Sequence, residues 1–141
     1  MTRARILAVL ALTASVSAGA LAGCAPAPST PADGAPAVAT FRVAGQEDYA
    51  IELNTDQLVE HAIELMNGGE DGRIPNGLIV RDGDEGVNAP WSWHIDPDSL
   101  EFVDMTTEVC DGLPSYVEDG TLTSDRFCPW LTEVVSIEPL G

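Results

Sequence analysis

Ser92, His94 and Asp96 are the residues whose types together would spell hydrolysis: a nucleophile, a general base and an acid to orient it. They alternate with Trp91, Trp93 and Ile95, so in a strand the three polar side chains share one face. Same-face neighbours on a strand stand about 6.5 to 7 Å apart. A catalytic relay needs each group within hydrogen-bond reach of the next, and no Gly-x-Ser-x-Gly turn presents the serine. The spacing therefore predicts structural work. His94 is expected to pair with Glu101 or a backbone carbonyl, and Asp96 to open the turn Asp96-Pro97-Asp98-Ser99. No catalytic residue is assigned, and a hydrolase built on His94 is the least favoured reading.

Two further groups carry possible chemistry. Asp82, Asp84 and Glu85 lie in the loop Asp82-Gly83-Asp84-Glu85-Gly86, near Glu70-Asp71, and calcium takes its oxygens from such loops. The calcium-hand spacing fails, because the third loop acid, the bidentate Glu and the flanking helices are missing. Calcium is thus the alternative to a solvated acidic surface that needs no cofactor. Asp96, Asp98, Asp104 and Asp111 form a second acidic group of the same kind. Trp91, Trp93 and Trp130 serve either as core and disulfide packing or, with His94, as a partly exposed surface for a sugar or peptide.

The N-terminus reads as an address. Arg3 and Arg5 precede an apolar run from Ile6 to about Val16, too short to span a bilayer comfortably. Leu21-Ala22-Gly23-Cys24 follows and looks like the lipobox of bacterial lipoproteins, in which the cysteine is acylated and becomes the mature N-terminus. Residues 1–23 are thus expected to be a signal peptide and Cys24 the lipidation site. Each buried methylene of the acyl chains contributes about 0.8 kcal/mol of anchoring. Residues 24–39 alternate Pro with Ala, Ser and Gly and read as an extended tether. The expected address is the cell envelope, on the outer face of the cytoplasmic membrane.

The chain has 141 residues, with six Arg, no Lys and 23 acids. Removing residues 1–23 takes two of the Arg with it, so the formal charge of −17 becomes −19. No basic footprint is left for nucleic acid or for anionic headgroups. Export also places Cys110 and Cys128 in an oxidising compartment, where a disulfide is the economical state. His61 and His94 lack ligand-like spacing to either cysteine.

Residues 40–141 then form one modest domain. Phe41 and Val43, then Tyr49, Ile51 and Leu53, predict two strands around Gly45-Gln46-Glu47-Asp48. A helix follows from Asn54 as N-cap, with Gln57 completing a capping box, Leu53 and Leu58 as a staple, and Gly68-Gly69 as its end. Its buried face is Leu58, Ala62, Leu65 and Met66, with Glu60, His61 and Glu64 on the solvated side. Leu78-Ile79-Val80 predicts a short buried strand. Residues 91–96 and 100–106 predict a hairpin with Trp93 opposite Phe102 and His94 opposite Glu101. A mixed helix over 108–119, a loop pinned by Cys128, and a last strand from Leu131 to Ile137 complete an α+β domain: a mostly antiparallel sheet with one or two helices on one face.

The block Trp91-Ser92-Trp93-His94-Ile95-Asp96-Pro97-Asp98, with Phe102, Glu108-Val109-Cys110-Asp111 and Cys128-Pro129-Trp130, resembles a known family over Phe41 to Glu138. It is a family of small secreted bacterial domains labelled "calmodulin-binding protein", related to the N-terminal domain of a slime-mould prespore protein. The resemblance brings no catalytic residues with it. Calmodulin targets present a basic amphipathic helix, whereas Asn54 to Asn67 is acidic with no Lys or Arg, so calmodulin is not expected as a partner. The expectation is a non-enzymatic, lipid-anchored binding or structural domain whose partners are the membrane and an extracellular ligand or protein.

Overall fold

A computed structural model of the chain describes residues 35–82 and 86–141. Strands β1 (Ala37–Val43), β2 (Glu47–Leu53) and β7 (Thr132–Pro139) form an antiparallel sheet in the order β2-β1-β7. The alternation of β1 is the reason: Ala37, Ala39, Phe41 and Val43 are buried while Val38, Thr40 and Arg42 are not. The strand thus begins at Ala37, inside the stretch whose composition reads as tether. Ala44 and Gly45 take positive φ of 50° and 67°, and Gln46 N–H donates to Val43 O at 2.9 Å. That primed turn follows the twist of the paired strands, so the turn sits at Ala44-Gly45-Gln46 and Glu47-Asp48 belong to β2.

Helix α1 (Asp56–Met66) is capped by Thr55, whose Oγ1 accepts from Leu58 N–H at 3.3 Å. Asn54 is not the cap, because its amide donates across the domain to Asp98 at 2.6 Å. On the inner face of the helix Val59 and Ala62 are buried and Leu58 and Leu65 half-buried, while Met66 is exposed. Gly68-Gly69 ends it as expected, with Gly68 at φ 94° and Gly69 N–H on Glu64 O at 2.9 Å. His61 is not solvated: Nε2 lies 3.0 Å from Gly72 O and the ring packs on Phe102.

The second sheet is built around β3 (Ile74–Val80). β4 (His94–Ile95) pairs with Val80 and Ile79, and β5 (Glu101–Val103) pairs with Asn76, Pro75 and Ile74. The two are one segment running antiparallel along one edge of β3, interrupted by a three-residue 3₁₀ turn at Pro97–Ser99. Ser99 Oγ accepts from Leu78 N–H and donates to Asp96 O, both at 2.8 Å, so a hydroxyl stands in for the missing ladder group. The expected hairpin is therefore corrected. Pro97 starts a turn that does not reverse the chain, Glu101 faces Asn76, Phe102 faces Pro75, and His94 faces Val80. β6 (Arg126–Phe127) occupies the opposite edge of β3, pairing with Leu78 and Gly77. A Cβ at Gly77 would overlap Ile95 Cγ2, which makes glycine the residue that lets β4 lie close. The buried part of β3 is Ile74, Pro75 and Gly77, whereas Leu78 is exposed.

The expected helix over 108–119 divides into a 3₁₀ turn at Glu108–Cys110 and a short α2 (Pro114–Glu118), with Gly112 at φ 156° between them. Glu47 anchors α2 by accepting from Ser115 N–H at 2.8 Å and Ser115 Oγ at 2.9 Å. The core lies between the inner face of the first sheet, α1, and the second sheet. Phe41, Tyr49, Trp93 and Phe127 pack at its centre with ring centroids 5.1 to 6.1 Å apart. Burial pushes the Tyr49 phenol far above its ordinary pKa, so the core keeps it neutral.

The outer edge of β2 is closed by side chains. Asn88, 1% exposed, accepts from Ala50 N–H and donates to Trp93 O, both at 2.8 Å. Trp91 Nε1 donates to Asp48 O at 2.8 Å. Replacing Asn88 with Ala orphans the buried Trp93 carbonyl and the half-buried Ala50 N–H, and we expect a loss of about 2 kcal/mol, read by urea unfolding. A change below about 0.5 kcal/mol would show that water satisfies both groups as well as the amide does.

Candidate functional site

Cys110 closes the 3₁₀ turn that follows β5, and Cys128 follows β6. These strands lie on opposite edges of β3, so the Cys110–Cys128 disulfide, with Cα atoms 5.1 Å apart, ties the two edges together. It packs on Ile74, the first residue of β3, and on Val103. Cys128 N–H donates to Cys110 O at 2.8 Å. Thr106 Oγ1 lies 2.9 Å from Cys128 Sγ and accepts from Trp130 Nε1 at 3.0 Å. Trp130 N–H donates to Asp111 Oδ1 at 2.8 Å. Both polar groups of Trp130 that could donate are thus used, and its indole offers ring surface to the cleft beside it.

That cleft has a volume of about 510 Å³ and is lined by Glu70, Arg73, Ile74, Asp104, Met105, Thr106, Trp130 and Leu131. A smaller hollow of about 170 Å³ shares Arg73 and continues past Leu65 and Gly69 to Thr132–Val134. Met105 is 85% exposed, Val109 and Leu131 are each 73% exposed, and Trp130 is 39% exposed. On an acidic domain these four large apolar side chains are conspicuous.

The arginines differ in how they are used. Arg42 grips Asp48 through Nε and Nη2 at 2.7 and 2.8 Å, which raises the arginine pKa and lowers that of the aspartate. Arg81 donates to the carbonyls of Val117, Leu122 and Ser124 at 2.9 to 3.0 Å. Arg126 holds Asn76 and the Ser99 carbonyl, and pairs with Glu101 at 3.3 Å. Among the described residues Arg73 makes no hydrogen bond and no ion pair, and it stands in the cleft.

The residues singled out from the sequence scatter. Trp93 is core at 2% exposure, Trp91 closes the edge of β2, and only Trp130 reaches the cleft. His94 has its Nδ1 buried without a partner and does not meet Glu101. Ser92 Oγ donates to Glu118 at 3.1 Å, and Asp96 caps the turn by accepting from Asp98 N–H at 3.1 Å. Asp98, Asp104 and Asp111 accept from Asn54, Gly72 N–H and Trp130 N–H. Asp82 is exposed, while Asp84, Glu85 and Cys24 lie outside the described residues. Among the described residues no group of three or more His, Cys, Asp or Glu is placed to hold a metal ion.

Sequence reasoning misses Arg73, Met105, Thr106 and Leu131. Met105 and Thr106 fall in a stretch that reads as strand, although the strand ends at Val103, and Arg73 follows a Gly-rich turn with no pattern to mark it.

The family model of the BP-74 N-terminal domain matches residues 35–141. The chain belongs to that family. The match takes in the whole disulfide-linked fold and extends past both ends of the stretch from Phe41 to Glu138. No curated protein and no solved structure matches the chain. In this member of the family the disulfide closes a separation of 18 residues. Replacing Cys110 and Cys128 with Ala should therefore remove roughly 3 kcal/mol of stability, lowering the Tm by about 10 °C or more. An unchanged Tm would mean that the bridge constrains neither state.

Proposed function

We propose that this domain is a non-enzymatic binding module carried on a lipid anchor at the outer face of the cytoplasmic membrane, and that it binds through the cleft beside Cys110–Cys128. The observation that carries the reading is the exposed group of Met105, Trp130 and Leu131 lining that opening. Large apolar side chains held out in water mark interaction sites, because a monomer gains nothing by displaying them. A tryptophan is the residue type most often found as the energetic anchor of an interface. Methionine supplies an adaptable neighbour. The disulfide holds the platform rigid before any ligand arrives, which lowers the entropic cost of binding.

The non-enzymatic part is supported by the polar side chains themselves. The Ser92 hydroxyl is spent on Glu118 and the Asp96 carboxylate on a turn amide. The anchor is supported by the lipobox at Leu21 to Cys24 and the Pro-rich spacer after it. Among the described residues no helix is long and apolar enough to cross a membrane.

Two experiments test these parts separately. Expressed in a bacterial host that acylates lipoboxes, the chain should fractionate with membranes, and Cys24→Ser should move it to the soluble fraction. Membrane retention of Cys24→Ser would sink the anchor. Panning a displayed random-peptide library against the oxidised domain should yield binders that lose about tenfold or more of their affinity for Trp130→Ala and keep it for Trp91→Phe. Binders indifferent to Trp130 would place the binding surface elsewhere.

A further inference from the structure

The chemistry of the cleft goes one step further than its existence, resting on the reading that it is the binding site. We propose that its partner is a basic polypeptide segment that carries an aromatic or long aliphatic side chain close to its Lys or Arg.

Three carboxylates stand beside the apolar group: Glu70 and Asp104 line the cleft, and Asp111 accepts from the backbone N–H of Trp130. One guanidinium, Arg73, opposes them. The whole chain carries a formal charge of −17, so its field favours the approach of cations and opposes that of anions. Complementary charge of this kind sets the approach and excludes wrong partners.

The short-range geometry selects the same sign. Trp130 Nε1 is occupied by Thr106 Oγ1 at 3.0 Å, which leaves the negative ring face as the feature the indole presents. A Lys or Arg laid over that face meets Glu70 and Asp104 at the same opening. Arg73 is outnumbered there by Glu70 and Asp104, and its charge works against the cation that the indole face attracts. Size selects a polypeptide over a small cation. Met105 and Leu131 line the opening at 73% exposure or more, and the cleft continues through Arg73 into the hollow along Thr132–Val134. Only a ligand several residues long covers both.

The test uses the oxidised, soluble Cys24→Ser protein and three short synthetic peptides: one of Lys, Phe, Gly and Ser, a twin with Glu in place of Lys, and a third with Ser in place of Phe. The Lys-Phe peptide should bind most tightly, more so as salt is lowered. Its affinity should fall about tenfold for Trp130→Ala and about two- to fivefold for Glu70→Gln. Arg73→Gln should leave binding unchanged or strengthen it. Thermal unfolding of each variant checks the fold, and Leu131→Ser replaces Trp130→Ala if the latter fails to fold. Preference for the Glu twin, or loss of binding in Arg73→Gln, overturns the basic partner while the cleft survives. Binding that ignores both Phe and Trp130 is diffuse charge attraction and overturns the cleft as well.

Discussion

The Cys110–Cys128 disulfide is the constraint on which the cleft depends, because it joins two chain segments that β3 would otherwise hold only by a few hydrogen bonds each. β5 contributes three paired residues and β6 two, on opposite edges of the same strand. Neither is long enough to fix its register alone. The bridge closes a ring around Ile74, and Thr106 and Trp130 are then hung from its sulfur through two successive short contacts. The cleft is the surface of that ring, which is why its walls come from three places in the sequence: 70–74, 104–106 and 130–131.

A domain this acidic has few cations with which to organise itself, and three of its arginines act as polar rivets. Arg42 clamps Asp48 across the first hairpin, Arg81 collects three carbonyls of α2 and the following loop, and Arg126 gathers β3, the 3₁₀ turn and Glu101 at one point. Carboxylates do matching work on amides: Glu47 on Ser115, Asp104 on Gly72, Asp111 on Trp130. Much of the acidity is thereby tied into loops and turns that a small domain must fix without a large core. Asn88 and Trp91 do the same for β2, whose outer edge would otherwise offer unpaired backbone to another chain.

The local signals in the sequence are legible where one residue type serves one purpose. Alternation in β1 and β2 marks both strands, Gly68-Gly69 marks the helix end, and the two late cysteines mark the bridge. The α+β class follows from these. What misleads is long-range competition for the same side chains. Asn54 is a good cap, yet Asp98 takes its amide, so Thr55 caps instead. Asp96-Pro97 looks like a hairpin turn, yet β3 offers a continuous edge and the chain follows it. The three tryptophans have one composition and three fates: Trp91 and Trp130 give their N–H to Asp48 O and Thr106 Oγ1, while Trp93 is buried in the core with its N–H unpaired. The cleft itself has almost no sequence signature, since Met105 and Leu131 are marked out only by being left exposed.

The most direct test follows the indole N–H of Trp130 by ¹⁵N NMR in the oxidised and the reduced domain. If the bridge positions the cleft, reduction should shift the Trp130 indole signal and speed its exchange with solvent, while the Trp91 and Trp93 signals stay in place. An unmoved Trp130 signal would contradict the account. So would the joint collapse of all three, which would make the disulfide a support of the whole fold with no particular hold on the cleft.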